Sequence, residues 1–260
     1  MSDSVKHLFD EISCLPQVEA IALGGSRATG RNDEKSDYDV YIYTSGPIEE
    51  DVRREILSKY CRYLEIGNTF WELEDDVTLL SGIDMDIIYR SMTDFEKGIE
   101  AVVMDGCAGN GYTTCMWHNL ITCKVIYDRT GRLGAARERF TVPYPEQLKK
   151  NILDQGWRLL TDSMPAYRDQ ILKAAKRGDL NSVNHRTAAF LETYFDMLFA
   201  LNGVTHPGEK RLVQLAKEMC PVLPVGFEDD ISAVFCHMFT DAEALADDLE
   251  RILGALKDIL

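Results

Sequence analysis

Two prolines, Pro143 and Pro145, divide the chain into halves with different hydrophobic periods, and this change limits the possible folds more than any other feature. Before them, short β-branched and aromatic runs alternate with stretches of helical spacing. Val18–Leu23, Val40–Tyr43, Met85–Tyr89 and Cys123–Tyr127 each read as a strand. Between the second and third of these, Ile48 to Tyr63 is predicted to be helical, with Ile56, Leu57 and Tyr60 on one side. Interleaved strands and helices make an α/β or α+β domain the natural class for this half.

After the prolines nearly everything reads as helix. Leu148, Ile152, Leu159 and Leu160 recur at helical spacing as far as Met164-Pro165. Ile171, Leu172 and Ala175 carry the next helix, which Gly178 ends. Asp179 or Asn181 caps a long helix reaching Leu201, with Phe190, Leu191, Tyr194, Phe195 and Leu198 as its apolar face. Asn202-Gly203 stops it, and Pro207 suits the first turn of the helix that follows. Thr240-Asp241-Ala242-Glu243 reads as a capping box opening the last helix. No repeat or low-complexity tract is present. The expected organisation is a strand-containing domain over residues 1–142 and a helical bundle over 143–260.

At 260 residues and 45 % hydrophobic content the chain can bury a core. No run approaches the roughly 20 apolar residues of a membrane helix. Met1 to Asp10 is polar and does not read as a signal peptide, so a cytoplasmic location is expected. Formal net charge is −15, from 43 acidic and 28 basic residues. Nucleic-acid ligands ordinarily require a basic face. The balance therefore favours a small and even cationic substrate over a polymer. Seven cysteines, with no C-x-x-C pair, fit a reducing compartment. Cys115, His118 and Cys123 lie near one another in sequence but match no zinc spacing, so no metal is expected there.

The chemistry resides in Leu23-Gly24-Gly25-Ser26-Arg27-Ala28-Thr29-Gly30 and in Ser36-Asp37-Tyr38-Asp39. Paired glycines after a strand allow a sharp turn and a close backbone approach to a ligand. Ser26 adds a hydroxyl and an amide where phosphate oxygens are welcome. Asp37 and Asp39 are two residues apart at the head of a strand, so their carboxylates share a face. Their Cα atoms would lie roughly 6.5 Å apart, within reach of a common metal pair. Hard oxygen ligands suit Mg²⁺, and two such ions about 4 Å apart can steady the attacking and leaving oxygens of a phosphoryl transfer. Asp84 and Asp86, at the entry to a later strand, share a face. Either could join the pair, and Asp86 is preferred because Ile87-Ile88 follows it directly.

Gly25-Ser26, an eleven-residue step to Asp37-x-Asp39 and a later aspartate on another strand together resemble the DNA polymerase β nucleotidyltransferase superfamily. The match is nearest its small-molecule branch, which includes the aminoglycoside and lincosamide nucleotidyltransferases. It covers about the first 140 residues. The resemblance implies an α+β nucleotidyltransferase fold, a mixed sheet flanked by helices, followed by an all-α bundle. It implies that Gly25 and Ser26 bind the triphosphate and that Asp37, Asp39 and Asp86 hold Mg²⁺, two ions in all. The implied reaction moves a nucleoside monophosphate, AMP from ATP in the first instance, onto the hydroxyl of a small acceptor with release of pyrophosphate. Leu198 to Arg211 also resembles a stretch of bacterial nucleotidyltransferase-fold proteins known only as a domain of unknown function.

Other side chains are assigned around that centre. Arg27 is expected to contact phosphate, with Arg31 and Lys35 on a solvated loop. Lys210 could clamp the β and γ phosphates from the second domain, and His206 could cap its turn. Glu192 is a candidate general base, set against an ordinary polar-face position. Trp71, Trp117 and Tyr112 could stack a base or sugar, although core packing is the expectation for each. Two rival functions are a protein adenylyltransferase of toxin–antitoxin type and an inactive nucleotide-binding scaffold. The intact carboxylates speak against the second.

Overall fold

The computed structural model describes residues 1–30 and 36–260, apart from the side chain of Thr29. Arg31 and Lys35 therefore lie outside the described residues. In chain order the elements are α1 (Asp3–Ser13), β1 (Val18–Leu23), α2 (Gly25–Thr29), β2 (Tyr38–Thr44), α3 (Glu50–Leu57), β3 (Cys61–Asn68), β4 (Leu73–Leu79), β5 (Asp84–Ser91), α4 (Met92–Val103), α5 (Cys115–Thr122), β6 (Lys124–Asp128) and α6 (Arg132–Phe140). There follow α7 (Glu146–Trp157), which a wide π-type turn extends to Asp162, then α8 (Tyr167–Lys176), α9 (Leu180–Leu201), α10 (Leu212–Met219), α11 (Phe227–His237) and α12 (Ala242–Lys257). The class is α+β, as the sequence implied. The chain forms two compact units, residues 1–100 with 119–141 and residues 101–118 with 142–260.

In the first unit the strands form one mixed sheet in the order β3-β4-β5-β2-β1-β6. β2 and β5 run parallel; the other neighbours are antiparallel. One face carries the core. Val5, Leu8, Phe9 and Ile12 of α1 recur at three- and four-residue spacing and bury against it, as do Ile56 and Leu57 of α3. From β2 and β5 this face receives Tyr38, Val40, Ile42, Met85 and Ile87. Full burial of side chains of this size contributes about 1.5–3 kcal/mol each. The helix expected over Ile48 to Tyr63 is shorter than that. It stops at Leu57, and from Cys61 the chain is strand, so Tyr63 belongs to β3.

Buried among these apolar groups is an ion pair. The Asp75 carboxylate on β4 accepts from Arg53 Nη1, from the Gly67 amide at 2.9 Å and from the Tyr89 hydroxyl at 2.9 Å. Asp75 is 0 % exposed and Arg53 4 %. Arg53 Nε also donates to the Ile48 carbonyl at 3.2 Å, so both buried charges are paired and hydrogen-bonded, which is the condition for such a pair to be tolerated.

The second unit is a helical bundle around α9, whose Phe190, Tyr194, Phe195 and Leu198 are buried. Asp179 caps α9 by accepting from the Ser182 amide at 3.1 Å. Two expectations move by a few residues. The last helix is capped by Asp241 and not Thr240, because the Asp241 carboxylate accepts from the Glu243 and Ala244 amides. Pro207 is not in a helix; the next one starts at Leu212. His206, which precedes it, is completely buried, and its Nδ1 accepts from the Gly208 amide at 3.1 Å.

Two groups of this unit titrate in opposite senses. Burial, with a smaller contribution from His118, pushes His206 down from an ordinary 6.5 to about 3. Neutral in the fold, it contributes stability that is complete above about pH 6.5 and lost as the pH falls towards 3. Burial pushes the Asp196 carboxyl up from 3.8 to about 6, against hydrogen bonds from Thr113. A raised carboxyl works the other way: its contribution is lost as the pH rises from about 4 to 6. Thermal unfolding across that interval checks the pair. Relative to the parent chain, Asp196→Asn is expected to lose stability more steeply on acidification, and His206→Gln to lose it less or to gain.

Candidate active site

The Gly24-Gly25 turn leaves β1 and is held against β2. The Gly24 amide donates to the Asp39 carbonyl at 2.8 Å. Both glycines are dictated by contact as well as by turn geometry. A Cβ on Gly24 would lie 2.4 Å from the Tyr41 ring. Gly25 has φ +56°, and a Cβ there would lie 1.8 Å from Asp39 Oδ2. The turn therefore rests directly on a carboxylate. Ser26 follows, half-buried, in the single turn of α2. Arg27 Nε donates to the carbonyls of Ser36 at 2.9 Å and Asp37 at 3.0 Å, while its guanidinium stacks on Tyr38 at 3.8 Å. Arg27 thus ties the head of β2, with Asp37, to the turn.

The register of the sheet sets the acidic groups in a row. Asp39 on β2 is the direct partner of Asp86 on β5, and Asp86 is in turn the partner of Asp76 on β4. Residues opposite one another in register project from the same face. Asp39, Asp86 and Asp76 therefore stand side by side across three strands, on the face away from the core. Asp37 precedes β2 and is exposed. Glu74, two residues from Asp76, completes the group: carboxylate oxygens of Glu74, Asp76 and Asp86 lie within 4.8 Å of one another. Burial first, and then the charges of Asp76, Asp86, Glu72 and Asp39, hold the Glu74 carboxyl above the usual carboxylate range. Such crowding of like charge favours a cation.

Of the two aspartates at the start of β5, Asp86 faces this row half-buried. Asp84 is exposed and accepts from the Thr78 hydroxyl at 2.7 Å. Next along the same face, Arg90 is 8 % exposed, grips Glu72 through Nε at 2.9 Å and Nη2 at 2.7 Å, and lies over the Tyr41 ring at 4.3 Å. This fork fixes the entry to β4.

Glu74 and Asp76 were not among the residues chosen from sequence. Their signal was Glu72-x-Glu74-x-Asp76, an acidic alternation with the period of a strand. Lys210 lies in the helical unit, exposed, in the turn before α10. Glu192 is half-buried on α9. Trp117 is core, as expected, but Trp71 is 92 % exposed, because it stands at the tip of the β3–β4 connection with nothing to pack on. Cys115, His118 and Cys123 do not gather around a point: the Cys123 thiol donates to the Leu120 carbonyl, and His118 Nδ1 meets the Thr205 hydroxyl at 2.7 Å. No helix among the described residues is long and apolar enough to cross a membrane.

Residues 5–106 match the family described as a nucleotidyltransferase domain. Residues 112–212 match a second family, a domain of unknown function (DUF4037). No curated protein matches the sequence. Among solved structures, a nucleotidyltransferase-like protein from Exiguobacterium sibiricum is 10 % identical, with 98 % of this chain and 73 % of that one covered and a TM-score of 0.45. An aminoglycoside 6-adenyltransferase from Bacillus subtilis is 8 % identical, covering 100 % and 91 %, with a TM-score of 0.31. A CCA-adding enzyme of Thermotoga maritima is 10 % identical, covering 100 % and 82 %, with a TM-score of 0.28. Likenesses at these values carry no weight for substrate. The family match, over the sheet on which the glycine turn and the acidic row lie together, identifies residues 5–106 as a nucleotidyltransferase domain of the DNA polymerase β type.

Proposed function

We propose that the chain transfers AMP from ATP to a hydroxyl of a small-molecule acceptor, with release of pyrophosphate and a requirement for Mg²⁺. The observation that carries this reading is the pairing of Asp39 with Asp86 in register, directly beneath Gly25. The donors are all carboxylate oxygens, the set that suits Mg²⁺ rather than a softer metal. Asp37, Asp39 and Asp86 would hold the ions, with Asp76 and Glu74 next to them. Bound there, Mg²⁺ would supply charge neutralisation at the phosphates. The chain's own part is to position. Gly25 and Ser26 present backbone amides and a hydroxyl to phosphate oxygens, and Arg27 keeps that turn in step with Asp37. In phosphoryl transfer such placement accounts for most of the catalysis. Lys210 as a further phosphate contact, and a cytoplasmic setting, belong to the same reading.

The test is incubation with α-labelled ATP, Mg²⁺ and a panel of hydroxylated small molecules beside candidate partner proteins. Label on a small alcohol supports the proposal. Label on protein alone would replace it with side-chain adenylylation, and no Mg²⁺-dependent pyrophosphate release with any acceptor would end it. The β4 carboxylates provide a further check. Asp76→Asn is expected to weaken the apparent affinity for Mg²⁺ by roughly tenfold, about 1.4 kcal/mol, read as the Mg²⁺ concentration for half-maximal rate. An unchanged value would place Asp76 outside the metal's surroundings.

A further inference from the structure

The helical unit contains an open cavity of about 850 Å³ that its own residues line. Its size falls in the range of small-molecule sites. The walls are apolar, with Phe195 of α9 and Phe235 of α11 among them, and Phe235 is 56 % exposed. Its charges are unequal: Glu192, Glu209, Glu218 and Glu228 stand against Arg211 and Lys217, and Lys217 is already paired with Glu228. Glu192 is half-buried and has no hydrogen-bond or ion-pair partner among the described residues.

One wall is held in place with unusual care. Tyr112, at the cavity, has φ +53°, and Arg211, also at the cavity, has φ +57°; they are the two non-glycine residues with positive φ among those described. Such backbone conformations persist only where the surroundings enforce them. Here Thr113 is latched to the buried Asp196 carboxylate through its amide at 2.9 Å and its hydroxyl at 2.6 Å. The Thr193 hydroxyl donates to the Asn110 carbonyl at 2.5 Å. Gly111 is pressed onto α9, so that a Cβ there would lie 3.0 Å from Glu192 Cβ. The result is a Tyr112 ring fixed beside an unanswered carboxylate; burial first, and then the charges of Glu192 and Glu209, hold the Tyr112 phenol above its ordinary value.

We propose that this cavity binds an organic ammonium ion carrying an apolar body. Glu192 takes the ammonium group, Glu209 adds to the field, and the rings of Tyr112 and Phe235 flank the cation and its hydrocarbon part. Phosphates and carboxylates are disfavoured by the same glutamates. The inference goes beyond nucleotidyl transfer and does not require it.

Calorimetric titration of the full chain with phenylethanolamine, against its uncharged analogue phenylethanediol, tests the proposal without nucleotide or Mg²⁺. A negative result therefore leaves the reaction proposed above intact, and failure of that reaction leaves this one intact. The amine is expected to bind saturably and the diol at least roughly tenfold more weakly. Glu192→Gln should weaken the amine about tenfold and Phe235→Ala about fivefold, with the melting temperature of each variant confirming that it folds. Equal binding of amine and diol, an affinity indifferent to Glu192→Gln, or no saturable binding of the amine up to about 10 mM would overturn it. Adding labelled ATP and Mg²⁺ then separates two supporting outcomes: AMP on the amine's hydroxyl marks the cavity as an acceptor site, and binding without transfer marks it as an effector site.

Discussion

Asp39→Asn is expected to lower AMP transfer by a factor of about 10³ while the fold survives, because the change removes a full charge from the row and keeps the shape of the side chain. The backbone bond from Gly24 to the Asp39 carbonyl does not involve the side chain and remains. Removing one of the like charges crowded around Glu74 relieves repulsion there. Gly25→Ala reaches the same place from the other side. Its methyl would collide with Asp39 Oδ2, and alanine resists a φ of +56°. Turn or carboxylate must then shift by about an ångström, a displacement able to cost on the order of 10²-fold in rate. Steady-state pyrophosphate release with a productive acceptor, beside thermal unfolding, measures both. An Asp39→Asn enzyme retaining more than about a tenth of the parental rate would remove this carboxylate from the reaction.

The largest effect on stability is expected from Asp75→Ala. Arg53 would keep its charge in a core where it is 4 % exposed, and the Gly67 amide and Tyr89 hydroxyl would lose their acceptor. Breaking one side of such a pair costs about 3–5 kcal/mol. At about 2–4 °C per kcal/mol for a chain of this size, the sheet unit should melt roughly 10 °C lower. The double change Asp75→Leu with Arg53→Met removes both charges and should recover most of the loss, since a well-packed apolar pair serves about as well as a buried salt bridge. If Asp75→Ala alone moves the transition by less than about 2 °C, the pair is not the keystone of this face.

That pair also explains where the sequence was hard to read. β1 and β2 are legible as β-branched and aromatic runs and β5 by its alternation, because apolar residues occupy their core-facing positions. In β4 the core-facing series is Leu73, Asp75, Val77 and Leu79, and an aspartate in second place hides the pattern. Its partner Arg53 likewise occupies a core-facing position of α3. Each charge is intelligible only in the presence of the other, and they are far apart in sequence. With β4 unrecognised, Glu74 and Asp76 had no strand to sit on and remained out of view. The turn and the Asp37-x-Asp39 step were legible because their chemistry is local: two glycines, a serine and two carboxylates within sixteen residues. That Asp86 rather than Asp84 faces Asp39 depends on strand register, a property of the assembled sheet.

The exposed Trp71 gives the molecule an optical reporter. Trp117 is buried and Trp157 partly so, leaving Trp71 the indole most open to a dissolved quencher. It stands next to Glu72, the residue gripped by Arg90 at the entry to β4. Iodide quenching of the native emission will therefore draw mainly on this hairpin tip, and a change in quenching when nucleotide is added would follow events at the acidic strand through a chromophore the chain already carries.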